Sequence, residues 1–420
     1  MITWVYRFVL FLLLFGMSAL IYGGNALNPL FDKAVSGTAL IGIVGLVVYY
    51  FDQPGIYKVA AWMILLGVIG LVLESKYDYG QFVYSYFVIK RFAYCGLALL
   101  TYAIARKVGD INIQHIVLLI FGFYIINQLF LGQIFSYNLT SESRTVTSNE
   151  ALYLVIPCLY YLMLYLRDRQ VRDLLLTLFT FAFIVFLLHR SVISAAFIAI
   201  GVVAGLSVMG KLPSRGFPMG RTIATFAVLL VLVAPLAGML PDNKVAGFLE
   251  NIGGILDPKD DNTGSWRLEQ SEYYLSKIPD KPMLGWRYVG YDKGEIMENE
   301  DFPEKGTIIH SQYIDMLYNY GFVGLFINLL IILGTLWVMY RRNRVFTLEQ
   351  TVLFGFIVSG LVYAVSYQLP VFFWGFVGLG MYYGLKRPAP DAPFDYTPFE
   401  EVDPAHPSQS TELTQSQSML

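Results

Sequence analysis

The sequence predicts an all-α polytopic membrane protein of about twelve transmembrane helices, with one large, partly helical loop on the outer face. Three observations predict it. Of 420 residues, 56% are hydrophobic, 16% aromatic and only 14% charged, with a mean hydropathy of +0.55. A soluble protein averages about 45–50% apolar and about 25% charged. Apolar windows long enough to cross the hydrocarbon, about 20 residues, recur along the chain. The charge is also uneven: residues 241–310 carry 22 charged residues, whereas residues 1–240 carry 25. One anchor on a soluble domain does not produce such a pattern.

The windows fall at 4–22, 35–51, 56–73, 86–105, 112–131, 150–166, 173–188, 191–209, 222–240, 316–340, 347–366 and 369–385. The first holds one early arginine, Arg7, and no small-x-small cleavage site follows, so an uncleaved span is expected rather than a signal peptide. The fourth contains Lys90 and Arg91, and the last is short and opens at Pro370. No Asp or Glu is read within a confident span, which counts against a proton- or sodium-coupled carrier. Cys95 and Cys158 sit in apolar segments and offer neither a disulfide framework nor a metal-ligand spacing.

The chain divides accordingly. Residues 1–240 hold helices one to nine, 241–315 form the loop, and 316–387 hold helices ten to twelve. Residues 388–420, Pro-rich and then Ser/Thr/Gln-rich, read as a disordered tail.

Orientation follows from the excess of Lys and Arg in short cytoplasmic connections. Arg106/Lys107, Arg167/Arg169/Arg172, Lys211/Arg215/Arg221, Arg341/Arg342/Arg344 and Lys386/Arg387 all follow even-numbered spans. With Arg7 and Lys58 they make fifteen basic residues on one side, against six in the short connections of the other. Both termini are therefore expected in the cytoplasm and the 241–315 loop on the outer, periplasmic side.

A basic set remains on that outer face. Arg190 opens span eight, Lys90 and Arg91 lie in or near span four, and Arg267 follows Trp266 in the loop. Lys281 and Arg287 flank Pro282-Met283-Leu284-Gly285-Trp286. A planar guanidinium binds phosphate oxygens bidentately and stays charged, which suits an anionic headgroup at a lipid–water boundary. A helix-end arginine also reaches water simply by snorkelling. Ser265 can N-cap a helix from Trp266 to about Lys277, with Arg267 on one face beside Ser271 and Tyr274, away from Leu268 and Leu275. His310, the loop's histidine, precedes Ser311-Gln312-Tyr313 and span ten, where Gly321 and Gly324 suggest a kink. An imidazole there can accept a proton from a hydroxyl, or can serve as a hydrogen-bonded residue at a helix start.

In this order, Arg190, the Trp266-Arg267 helix, Pro282-x-x-Gly285-Trp286, His310-x-x-Tyr313 and Gly321-x-x-Gly324 resemble the bacterial O-antigen ligase and O-antigen polymerase superfamily. The resemblance covers about residues 180–333. It implies a C-type glycosyltransferase fold and transfer of a glycan from undecaprenyl pyrophosphate to an acceptor at the periplasmic face of the inner membrane. The polymerase adds the glycan to another lipid-linked glycan, and the ligase adds it to lipid A–core. It further implies that Arg190 and Arg267 hold the pyrophosphate and that His310 activates the acceptor hydroxyl. His189 stands where the family often has Ser, and Ser311 where Asn is usual.

Arg287, Lys281, Trp266, Tyr313 and Arg91 are expected to contact substrate. Neither a cofactor nor a metal is expected, and nucleic acid is not a partner. The partners are the lipid-linked donor, a glycan or lipid A–core acceptor, membrane lipid and other polysaccharide-assembly proteins. An exporter of lipid-linked glycans, or a ten-span peptidoglycan polymerase with a loop carboxylate as base, are the competing classes. The acidic loop, 14 acids against eight bases, leans away from an anionic core acceptor and towards polymerisation.

Overall fold

Long apolar segments can satisfy their backbone N–H and C=O groups away from water only within helices or closed barrels, and the chain takes the helical solution. A computed structural model describes residues 2–16, 18, 29–84, 86–109, 111–130, 146–187, 189–213, 220, 262–287 and 309–386. Its principal helices, in chain order, are α1 (Ile2–Phe15), α2 (Pro29–Val48), α3 (Gly55–Tyr79), α4 (Tyr86–Val108), α5 (Ile113–Phe130) and α6 (Ser148–Asp168). They continue as α7 (Val171–Phe186), α8 (Arg190–Val208), α9 (Asn262–Lys277), α10 (Gln312–Arg342), α11 (Leu348–Tyr363) and α12 (Val371–Leu385).

Eleven of the expected spans fall on α1–α8 and α10–α12, whereas α9 belongs to the loop. The segment 222–240, the tail 388–420 and the loop stretches 241–261 and 288–308 lie outside the described residues. Among those described, four helices (α3, α6, α8 and α10) are long and apolar enough to cross a membrane, or up to five if the bent α4–α5 pair counts as one. This supports a multi-pass membrane protein.

One expectation is corrected. Carboxylates do occupy the helical body: Glu150 and Asp173 are buried, Asp315 is fully buried in the first turn of α10, and Glu74 and Asp78 lie on α3. Glu150 and Asp173 are the first residues of the windows 150–166 and 173–188, whereas Glu74, Asp78 and Asp315 lie outside theirs, because hydropathy ends a span at its charges but a helix ends where its hydrogen bonding does. Here α3 continues to Gly80, whose φ of 71° supplies the left-handed cap; its N–H donates to the Lys76 carbonyl at 3.1 Å.

The buried α4 is the hub, packed by α12, α2, α1 and α3. Small residues permit the approach, as in membrane helix pairs generally. Gly42 and Gly45 of α2 face Leu97 and Leu100, and Gly378 of α12 lies against the Ala98 carbonyl.

Two ends of the body are distinguishable. At one, Phe346 N–H donates to the Lys211 carbonyl (2.8 Å), Lys211 Nζ donates to the carbonyls of Tyr340 and Asn343, and Arg106 donates to Gln53 Oε1 (2.8 Å). At the other, Tyr363 meets Ser148, His189 meets Val146, and Tyr79 donates to the Trp286 carbonyl. Antiparallel α8 and α11 join the two ends.

The kink anticipated in α10 is present. Gly321 takes φ 62°, ψ −166°, a conformation essentially confined to glycine. The break frees backbone groups, which the segment after α9 satisfies. Phe322 N–H donates to the Pro282 carbonyl (2.8 Å), Val323 N–H to that of Met283 (3.2 Å), and Trp286 N–H to that of Tyr318 (2.6 Å). Gly285, at φ 76°, lies so close that a Cβ there would be 2.6 Å from the Tyr318 carbonyl oxygen.

Gly321→Ala should therefore lower stability by about 1–3 kcal/mol for the backbone conformation alone, with more from collision with the Met283 backbone. Thermal unfolding in detergent measures it, and an unchanged midpoint would contradict the packing described.

Candidate active site

The helix α9 begins at Asn262, about a turn before the expected start at Trp266, and ends at Lys277 as expected. Ser265 thus lies in the first turn rather than at the cap. Asn262 and Thr263 tolerate that turn, where backbone donors lack intrahelical partners. The amphipathic reading of the helix holds. Tyr274 is buried edge-on against Tyr318 of α10, with centroids 4.8 Å apart, while Leu268 and Leu275 face outward. Ser271 Oγ donates to the Arg267 carbonyl at 2.7 Å. The Trp266 side chain lies outside the described residues.

Packing of Tyr274 on α10 aims Arg267 at the turn after α11. Its Nη2 donates to the Tyr367 hydroxyl at 2.9 Å, and its guanidinium carbon is 4.6 Å from that ring's centroid. Its Nε is buried and has no hydrogen-bond partner among the described residues. An orphaned N–H on a permanent cation is costly unless something supplies an acceptor.

His310 shares Tyr367 with Arg267: the imidazole lies 6.3 Å from the tyrosine ring, edge-on. The backbone here is pinned from two sides. His310 N–H donates to Gln270 Oε1 of α9 (3.2 Å), and the Ile309 carbonyl accepts from Gln368 Nε2 (2.8 Å). Below it, Gln312 N–H donates to the Ala364 carbonyl (2.9 Å), and Tyr313 donates its hydroxyl proton to the Leu361 carbonyl (2.6 Å). Tyr313 therefore ties α10 to α11.

Arg190 is the first residue of α8, following a buried, extended His189 whose Nε2 is 2.8 Å from the Val146 carbonyl. Two residues past Val146, Ser148 and Asn149 contact the Tyr363 hydroxyl. Arg190 thus stands at the same end of the body as Arg267 and His310.

Three further cations of the basic set, Arg91, Arg287 and Lys281, each meet a carboxylate. Arg91 Nη1 contacts both oxygens of Asp315 (3.0 and 3.1 Å), and Asn319 Nδ2 donates to the same carboxylate (2.9 Å). Arg287 is only 1% exposed, adopts a positive φ of 49°, and pairs with Glu74 and with Asp78 (3.0 Å). Lys281 donates to Asp78 at 2.7 Å and lies over the rings of Tyr79 and Trp286. Burial works against the charge on both Lys281 and Arg287. The carboxylates of Asp78 and Glu74 respectively, through hydrogen bond and charge, together with Tyr79 outweigh it, holding each above its ordinary pKa and so charged at neutral pH. In this arrangement Arg287 and Lys281 fasten the loop to α3, and Arg91 fastens α4 to α10.

The sequence reading missed Asp315, Glu74, Asp78, Tyr363 and Tyr367. The two tyrosines stand four residues apart, a spacing that puts both on one helical face. Glu74, Asp78 and Asp315 lie just outside the apolar windows 56–73 and 316–340 and so drew no attention in the sequence. Among the described residues, no group of three His, Cys, Asp or Glu side chains could hold a metal ion.

Residues 175–329 match the family model described as O-Antigen ligase. The matched segment runs from α7 into α10 and includes Arg190, Arg267 and His310. No curated protein matches the chain.

Arg287→Ala should strand Glu74 and Asp78 and lower stability by about 2–4 kcal/mol, somewhat less than the loss of a fully buried pair because both acids keep some exposure. The comparison to make is with Glu74→Gln, which leaves Arg287 one partner and should destabilise less. Equal unfolding midpoints for Arg287→Ala and the unmodified protein would rule the latch out.

Proposed function

We propose, from the placement of residues 175–329 in the O-antigen ligase and polymerase superfamily, that the protein is an inverting, metal-independent membrane glycosyltransferase. It moves a glycan from undecaprenyl pyrophosphate to an acceptor hydroxyl at the periplasmic face of the inner membrane, with both termini in the cytoplasm. The observation that carries this reading is Arg267: a cation held by Tyr367, the ring that His310 also faces, with a buried Nε–H that has no partner among the described residues.

The chemistry asks for those groups. A glycosyl pyrophosphate is already activated, because its leaving group is a stable anion. It needs cations to hold the charge that grows as the anomeric C–O bond breaks through an oxocarbenium-like transition state. Arg267 supplies an idle donor for a phosphate oxygen, and Arg190 brings a second cation at the start of a helix, where the dipole also favours an anion. His310 takes the acceptor's hydroxyl proton while that oxygen attacks the anomeric carbon from the face opposite the pyrophosphate. The products are the extended glycan and undecaprenyl pyrophosphate, and the configuration inverts.

Polymerisation of repeat units is the favoured form, since 14 acids against eight bases in residues 241–310 suit a phosphorylated lipid A–core acceptor poorly. Ligation to lipid A–core is the second reading. Export of lipid-linked glycans is more distant, since it gives no role to a histidine that faces the same tyrosine as a donor-rich cation.

Arg190→Ala and Arg267→Ala should abolish transfer from purified lipid-linked glycan, with Lys restoring it poorly because a point charge loses the planar fork. Near-normal turnover in either alanine variant would sink the assignment. His310→Ala should slow transfer by about 10²–10⁴-fold if it is the base; a loss of a few-fold would make it an acceptor-binding residue instead. Chelators should leave turnover intact, and a requirement for added magnesium would overturn the arginine mechanism.

A further inference from the structure

Arg267 is a long, flexible side chain on a loop helix, and the mechanism asks it to present a rigid fork. Something must hold it. The structure assigns that task to Tyr367, backed by Tyr363, as positioning residues for the pyrophosphate site. This inference rests on the reading of Arg267 as an anion-binding residue and extends it.

Tyr367 holds the guanidinium twice, through its hydroxyl at 2.9 Å from Nη2 and through its ring face at 4.6 Å from the central carbon. The hydroxyl sets the rotation of the plane, and the face sets its height. A guanidinium carries five N–H donors, so spending one on Tyr367 leaves the others for a ligand; among them is the buried Nε–H, unpartnered among the described residues.

Tyr367 is itself fixed. Its ring stacks on Tyr363 at 5.2 Å and 13°, and its N–H donates to the Tyr363 carbonyl at 3.1 Å. Tyr363 is fully buried, and its hydroxyl lies 2.8 Å from Asn149 Oδ1, to which it donates, and 2.9 Å from Ser148 Oγ, from which it accepts. Those two residues open α6, and Val146 just before them contacts His189 at the foot of α8. A continuous line of contacts therefore runs from Arg267 through two stacked rings to the residue preceding Arg190.

The stack also faces His310 at 6.3 Å. One aromatic ring thus sets the cation and the imidazole in a common frame, which is what alignment of a donor's leaving group with an acceptor's base requires.

The test is a double-mutant cycle on the purified full chain, reading binding of undecaprenyl pyrophosphate and turnover of the lipid-linked glycan. Tyr367→Phe keeps the ring and loses the hydroxyl. It should weaken donor-lipid affinity and lower kcat by about tenfold each, leaving the acceptor KM unchanged. Tyr367→Leu loses both contacts and should cost about a hundredfold. In an Arg267→Ala background, Tyr367→Phe should change the affinity no further.

Should Tyr367 variants fold poorly, Tyr363→Phe, which frees the stack from Ser148 and Asn149, should show the same dependence on Arg267 with a smaller loss. Unchanged affinity in Tyr367→Phe, or an equal loss with and without Arg267, overturns the positioning role while the Arg267 assignment stands. Full affinity in Arg267→Ala overturns both.

Discussion

The broken hydrogen-bond ladder at Gly321 is the constraint on which the arrangement of the site depends. A helix that kinks within an apolar body exposes amides and carbonyls that no water can reach. The Pro282–Trp286 segment closes that gap with three backbone hydrogen bonds, and in doing so becomes part of the wall of α10. Because those bonds run from main chain to main chain, they need close approach rather than any particular side chain. Glycine at 285 and at 321 is what permits it.

Everything on the loop side takes its place from that junction. The docked segment carries Lys281 and Arg287 to the acids on the last turns of α3, and the preceding α9 is held against α10 by Tyr274. Arg267 then reaches Tyr367, and Gln270 reaches the backbone of His310. Two residues 43 positions apart in sequence so come to face the same tyrosine. The ion pairs are secondary in this scheme: with acids of partial exposure they hold the loop in place, whereas the backbone junction decides where it goes.

The structure also separates two kinds of cation that look alike in a sequence. Arg91, Lys281 and Arg287 are each paired with a carboxylate, from α10 or α3, whereas Arg267 meets the hydroxyl and ring of Tyr367; a buried Nε–H without a partner among the described residues is common to Arg267 and Arg287. A cation neutralised inside the fold serves the fold. One held by an aromatic ring instead of a carboxylate keeps its charge for an external anion.

Much of this was legible in the chain. Period and hydropathy predicted the helices, because a segment that must satisfy its own backbone in an apolar medium announces itself by composition. The glycines predicted the kink, because few other residues take that conformation. Arg190, Arg267 and His310 stood out because charge is scarce in such a chain. What stayed hidden were partnerships: Asp315 with Arg91, Glu74 and Asp78 with Arg287, and the Tyr363–Tyr367 stack with Arg267. Hydropathy reads one residue at a time along the chain, so it ends a span where charge begins and treats an acid at a helix end as solvated. Whether that acid meets water or a guanidinium depends on which helix packs against it. Only the folded body brings residues 74 and 287, or 267 and 367, within reach of one another.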